Sequence, residues 1–384
     1  KDQGGKIVNR IIERFVRIFD YVASFALAGT VVYIGYMNYW QDLNSALLII
    51  LLVLGGLASS AICCAFHELG HVVFGWGCGF RFNSIRIGFL TIYRSEGKIC
   101  CTVQRMPESL AGSVEMLPKT SEKLYTKFLS MISGGLLFSF LFLVGAAVAF
   151  IFYEKLPFAV YALLCTSLPY AFHLFFYNVL PFNDDNMDTD GSMFKGLLKK
   201  ETSYLTAVNI LAIEGYLYQG CSPSEIDKNL YFGLPQLPED DLNFILLTDY
   251  RLAFYLDSED YGNALKASDR LENLLEYVPK FYYNAVLADI IFCKSFLKAD
   301  LEGALRLYPQ AQLYLKGEKS LKSCRISAAY ELYARQDKMA ALRAVSEAEK
   351  KVETCDIKGI KKYEKKLITV IRNDIVSEQV VEEG

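Results

Sequence analysis

The sequence predicts an all-α polytopic membrane protein with about four transmembrane helices and a small strand-forming loop between the second and third. A soluble α-helical repeat domain follows. Three observations carry this. Residues 21–41, 43–66, 128–153 and 156–183 contain no Asp, Glu, Lys or Arg, and each run is near the ~20 residues that a helix needs to cross a bilayer. From about residue 195 the texture becomes ordinary charged, amphipathic sequence. Within that second half, related octapeptides recur: SEDYGNAL at 258–265, KADLEGAL at 298–305 and RQDKMAAL at 335–342.

Taken in order, residues 1–18 form a basic segment with Lys6, Arg10, Arg14 and Arg17. Residues 19–200 form the transmembrane domain. The connection between the second and third uncharged runs carries Arg81, Arg86, Arg94, Lys98, Arg105, Lys119, Lys123 and Lys127, and Lys195, Lys199 and Lys200 follow the fourth. The connection between the first and second runs has no Lys or Arg, and that between the third and fourth has Lys155 beside Glu154. Basic residues favour the cytoplasmic side, so both termini are expected in the cytoplasm of a multi-pass cell-membrane protein. The first run is too long for a cleaved signal and no small-residue cleavage pattern closes it. A net charge of −3 leaves no basic footprint for nucleic acid. Ten cysteines without a CxxC pair read as reduced thiols with no assigned role.

The stretch AFHELGHVVFGWG, residues 65–77, holds two of the chain's three histidines. His67-Glu68-Leu69-Gly70-His71 fits HExxH, which chance composition would produce in about one such chain in a thousand. Residues four apart share a helix face, so both imidazoles can bind one zinc ion, with Glu68 placed as general base rather than as a third ligand. Ionisable groups at the end of so apolar a run are costly unless they serve a purpose. A catalytic zinc commonly takes a third protein ligand. Asp184, Asp185, Asp188 and Asp190, where the fourth run ends, are the candidates. A calcium loop beginning at Asn186 fails, because Leu197 stands where its bidentate glutamate is required.

HELGH in a span, followed by Asn178-Val-Leu-Pro181 and by Asp190-Gly191, resembles the site-2 protease family of zinc intramembrane metalloproteases. The stretch Ser133-Gly134-Gly135-Leu-Leu-Phe-Ser139 resembles that family's Gly-Pro-x-x-Asn element. IRIGFLTIY and AGSVEMLP resemble its strand-forming loops at the membrane face. The resemblance covers roughly residues 45–198. It implies His67, His71 and Asp190 as ligands of one zinc ion, Glu68 as the catalytic base, and Asn178 as a group that grips the substrate backbone or the oxyanion. Asp190 stands nine residues beyond Pro181, further than in the family's pattern, and follows Thr189 rather than Leu. An insertion accounts for this spacing, and with it Asp185 or Asp188 stays open as the ligand. His173, inside the fourth run, reads either as a functional contact or as a hydrogen bond to a neighbouring helix.

Residues 201–384 resemble a degenerate tetratricopeptide-like array, whose groove would recognise a substrate or protein partner. The function expected is zinc-dependent endopeptidase cleavage of transmembrane segments, in membrane-anchored proteins or signal-peptide remnants, near the cytoplasmic side. The alternative is a catalytically inactive membrane scaffold presenting the helical domain. A metal transporter would need ligands on further spans, and His173 alone does not supply them.

Overall fold

A computed structural model describes residues 2–95, 97–103, 112–181, 183–184, 187–318 and 320–382. It divides into two compact units, residues 1–117 with 123–201, and residues 118–122 with 202–384.

The first unit opens with α1 (Asp2–Gly35), which runs through a π-turn at Tyr36–Trp40, and α2 (Ser45–Gly77). The Asn44 side chain caps α2 by accepting from the Ala46 amide at 2.9 Å. A small sheet follows, made of β1 (Arg81–Ile87), β2 (Leu90–Ser95), β3 (Lys98–Val103) and β4 (Gly112–Leu117). Next come α3 (Leu124–Ile151), the short α4 (Phe158–Val160) leading through another π-turn into α5 (Leu168–Val179), a hairpin of β5 (Asn183–Asp184) and β6 (Met187–Asp188), and α6 (Asp190–Leu198). Four helical stretches, Glu13–Trp40, Ser45–Gly77, Leu124–Ile151 and Phe158–Val179, are long and apolar enough to cross a membrane. α2 outlasts its uncharged run by a further eleven residues because nothing breaks it before Gly79, whose φ of +81° ends the helix. There the Gly79 and Phe80 amides donate to the Trp76 and Gly75 carbonyls, a left-handed cap.

The sheet is antiparallel throughout, in the order β3-β2-β1-β4. Its register places Ile85, Ile87, Leu90, Ile92, Arg94, Ile99, Cys101 and Val103 on one, mostly apolar face and Ser84, Arg86, Thr91, Tyr93, Cys100 and Thr102 on the other. The apolar face is the open one: Ile99 is 74% and Val103 77% exposed, with Phe89 at 61% in the β1–β2 turn.

The second unit is helical: α7 (Thr202–Gln219), α8 (Lys228–Phe232), α9 (Leu242–Asp257), α10 (Tyr261–Asn273), α11 (Lys280–Phe296), α12 (Leu301–Glu318), α13 (Leu321–Ala329), α14 (Lys338–Glu353) and α15 (Lys358–Glu382). The three octapeptides occupy equivalent junctions, entering α10, α12 and α14. Each supplies one residue of positive φ (Glu259, Lys298, Gln336) and an aspartate that caps the next helix (Asp260, Asp300, Asp337). Each also buries an alanine completely (Ala264, Ala304, Ala341), which lets the paired helices approach closely. α15 packs against α7, α13 and α14, and Lys366 donates to the Asp257 carbonyl at the end of α9. Its Tyr363, Leu367, Ile368, Ile371 and Ile375 belong to the same core as the helix pairs.

Within that core Arg325 is 1% and Glu364 2% exposed, and they pair at 2.6 Å. Arg325 lies 3.9 Å from the centroid of Phe292, and Lys322 pairs with Asp289. Burial, then the charge of Asp289, pushes the Asp249 carboxyl up to about 7.

Candidate metal centre

One turn of α2 separates His67 from His71, so their imidazoles project from one face. That face is pressed against α3, and His67, Glu68 and His71 are 5, 6 and 5% exposed. The contact depends on absent side chains. A Cβ on Gly70 would stand 2.3 Å from the Gly134 carbonyl oxygen, and one on Gly134 would stand 2.4 Å from that of Gly70. Small residues let the two backbones meet. The next residue, Gly135, faces the His71 ring, and a Cβ there would lie 2.3 Å from Nε2.

α3 also orients both imidazoles. His71 Nδ1 lies 3.0 Å from the Met131 carbonyl oxygen, which can only accept, so Nδ1 carries a proton, and in the neutral imidazole Nε2 presents a lone pair. His67 Nδ1 lies 2.8 Å from Ser139 Oγ, which can accept in the same way. Hydrogen bonds at the remote nitrogen are how ligating histidines are held in their metal-binding tautomer.

Asp190, the first residue of α6, completes the group. Its Oδ2 lies 3.2 Å from His67 Nε2 and 3.1 Å from His71 Nε2, and the two Nε2 atoms are 3.2 Å apart. Three electron-pair donors thus form a nearly equilateral triangle. In the neutral Nδ1–H form of His71 no hydrogen bridges its Nε2 to Asp190, and Oδ2 is buried without a hydrogen-bond partner among the described residues. With both imidazoles neutral, the three atoms repel one another, and a bound cation offsets that repulsion. A tetrahedral ion with bonds of ~2.0–2.1 Å separates its ligand atoms by ~3.3 Å, close to the observed sides. The three side chains could hold a metal ion.

Local structure brings Asp190 here despite its distance from Pro181. Between Pro181 and Asp190, Asn183 pairs with Asp188 and Asp184 with Met187, a two-rung antiparallel ladder that takes up the extra length. Thr189 then ties α6 to the end of α5: its Oγ1 donates to the Leu180 carbonyl at 2.6 Å and accepts from the Ser192 amide at 3.2 Å. Gly191 fits against α5, where a Cβ would meet the Val179 carbonyl oxygen at 2.3 Å. Asp188 is exposed and outside the triangle, and Asp185 lies outside the described residues.

Glu68 neighbours the first residue of β4. A Cβ on Gly112 would come within 2.8 Å of Glu68 Oε1 and 2.2 Å of Cys64 Sγ. The sheet therefore runs back along α2 to the level of the HELGH turn, and its outer strand begins beside the Glu68 carboxylate. Asn178 donates from Nδ2 to the Leu174 carbonyl of its own helix at 2.9 Å. His173 bonds through Nδ1 to Asp20 of α1 at 2.6 Å. Sequence reasoning missed Ser139 as a partner of His67, the Met131 carbonyl, and Gly112. The serine and both glycines of α3 stand in the quoted element, but nothing local says what they face.

No family model matches the chain, and no curated protein or solved structure does.

Proposed function

We propose that the chain is a zinc-dependent intramembrane endopeptidase of the site-2 protease kind, set in the cell membrane by its four apolar helices. One observation carries the reading: His67 Nε2, His71 Nε2 and Asp190 Oδ2 converge to within 3.2 Å of one another, beside the buried Glu68. HExxH with a third carboxylate is a donor set suited to zinc and to hydrolysis. When bound, zinc supplies Lewis acidity, polarising a carbonyl and lowering the pKa of water. The chain's own residues do the rest. Glu68 takes a proton from the attacking water and returns it to the leaving amine. α3 excludes bulk solvent and fixes the imidazoles through Ser139 and Met131.

The substrate is the transmembrane segment of a membrane-anchored protein or a signal-peptide remnant. A helix shields its peptide bonds, so the segment must be drawn out straight before it reaches Glu68. β4 is suited to this, because its outer edge is unpaired among the described residues and it begins at Gly112. The open apolar face of the sheet is compatible with lipid around it. Asn178 has a second amide hydrogen with which to hold a substrate carbonyl, and the helical second unit is a surface for choosing partners.

The test uses membranes containing the chain with single-span reporters tagged at both ends. Cleaved reporter with the wild type and intact reporter with Glu68→Gln, at equal metal content, is the expected outcome. Equal cleavage by both proteins, or by neither across a varied reporter panel, would remove the protease reading. Metal bound without cleavage would leave the scaffold.

A further inference from the structure

The geometry points to Asp20 and His173 as positioning residues for the third metal ligand: a latch between α1 and α5 that sets where Asp190 stands. This rests on the metal reading of the His67–His71–Asp190 triangle.

A carboxylate in an apolar helix is costly to desolvate and is retained where a partner offsets that cost. Asp20 is 5% exposed, inside the first membrane-length stretch. Its Oδ2 accepts from His173 Nδ1 at 2.6 Å, and its Oδ1 is buried without a hydrogen-bond partner among the described residues. Aromatic rings frame the pair: Tyr21 stacks on His173 with centroids 5.7 Å apart, and Phe19 meets Phe176 at 6.2 Å.

The pair is remote in sequence from the metal ligands, yet the path to them is short and built of rigid parts. At its start α5 is held to α2 by Ser59 Oγ and Thr166 Oγ1, 3.3 Å apart, and by the Cys63 thiol on the Ser167 carbonyl. Further along, α5 meets α1 through the latch. Less than two turns beyond His173, the α5 terminus seats Gly191 against Val179 and takes the Thr189 hydroxyl on the Leu180 carbonyl. Both contacts flank Asp190. A shift of the α5 end is therefore transmitted to Asp190 Oδ2, while His67 and His71 stay fixed on α2, oriented by Ser139 and Met131 of α3. Oriented groups beyond the ligands typically govern metal affinity by about 10–100-fold. That magnitude is expected here, because a ligand atom tolerates displacement of only ~0.2 Å.

The experiment loads detergent-purified protein with zinc and follows metal release to a chelator. The proteins are wild type, Asp20→Asn, and the exchange Asp20→His with His173→Asp, each checked by size exclusion and thermal unfolding. Asp20→Asn is expected to release zinc at least 10-fold faster than wild type at an unchanged unfolding midpoint, with the exchange variant restoring most of the retention. In a Thr189→Val background, which cuts the path between α5 and α6, the effect of Asp20→Asn should shrink. Release from folded Asp20→Asn within 2-fold of wild type overturns the latch. If Asp20→Asn does not fold, an exchange variant that folds but sheds zinc 10-fold faster overturns it, and one that retains zinc supports it. Wild type that binds no zinc is a separate failure, that of the metal reading.

Discussion

Gly135→Ala adds one methyl group at the point where α3 meets a ligand ring. The new Cβ would lie 2.3 Å from His71 Nε2, 2.4 Å from Cε1 and 2.9 Å from Cδ2. Non-bonded heavy atoms rest near ~3.5 Å, so ring and helix must separate by about 1.2 Å. That is several times the ~0.2 Å that a metal site tolerates in a ligand distance. The ring cannot yield freely, since its Nδ1 is bonded to the Met131 carbonyl. Overpacking of this kind commonly costs about 1–3 kcal/mol, which as a loss of zinc affinity is roughly 5- to 150-fold. The assay is zinc affinity by competition with a chromophoric chelator, beside thermal unfolding of the zinc-free protein. Gly145→Ala in the same helix is the control, because nothing lies within 4 Å of a Cβ there. It should bind zinc as wild type does and gain slightly in helix propensity, by up to about 1 kcal/mol. Zinc affinity of Gly135→Ala within 2-fold of wild type would refute the placement of His71 Nε2 among the ligands.

Three further outcomes are expected. Ser139→Ala removes the oxygen at His67 Nδ1 and should weaken zinc binding about 10-fold with the fold intact; unchanged affinity would show that the hydrogen bond does not orient the ring. Glu364→Gln removes the nearer of the two carboxylates that Arg325 meets, leaving Asp289 at 3.7 Å, and should destabilise the second unit by up to about 3–5 kcal/mol, measured by hydrogen exchange in α13 and α15; protection within about 1 kcal/mol of wild type would contradict it. Asp249, raised to about 7 in the folded chain, holds a proton that the unfolded chain releases near the ordinary carboxylate value of 3.8. Its stabilising contribution is complete below that lower value and is lost as pH rises to and through the upper one. Protection in α9 and α11 should therefore decline between about pH 4 and pH 7 and level off above, and Asp249→Asn should flatten the decline; an unaltered slope in that variant rules out Asp249 as its source.

The parts of the site that sequence conveys are those encoded by local geometry. His67 and His71 are four apart in an uncharged run, and any helix puts them on one face. Asp190 could be singled out among its neighbours only by resemblance and by the glycine after it, because the number of residues after Pro181 says nothing about a hairpin that folds the excess away. What α3 contributes was invisible for a different reason. Ser139, Met131 and Gly135 act across a helix crossing, and the register of that crossing depends on Gly70 meeting Gly134 sixty-four residues later. Asp20 stands just before the first uncharged run, and nothing local says that helix α1 carries it inward to His173. In the second half, octapeptide recurrence marked the equivalent junctions, while the positive φ, the aspartate cap and the burial of the alanine came from the structure.

The placement of α15 bears on how the second unit comes to be folded. Nearly every side chain on its inner stripe is enclosed, Ile371 at 0% and Leu367 at 1% exposed, and its neighbours α7, α13 and α14 all precede it in the chain. During synthesis α9–α14 emerge first and can pack on one another, yet the faces that α15 covers stay open until the stretch from residue 358 leaves the ribosome. Until then Arg325 lacks its Glu364 partner. α15 is thus the closing element of the unit, and a chain halted before it would keep a partial core with one side uncovered.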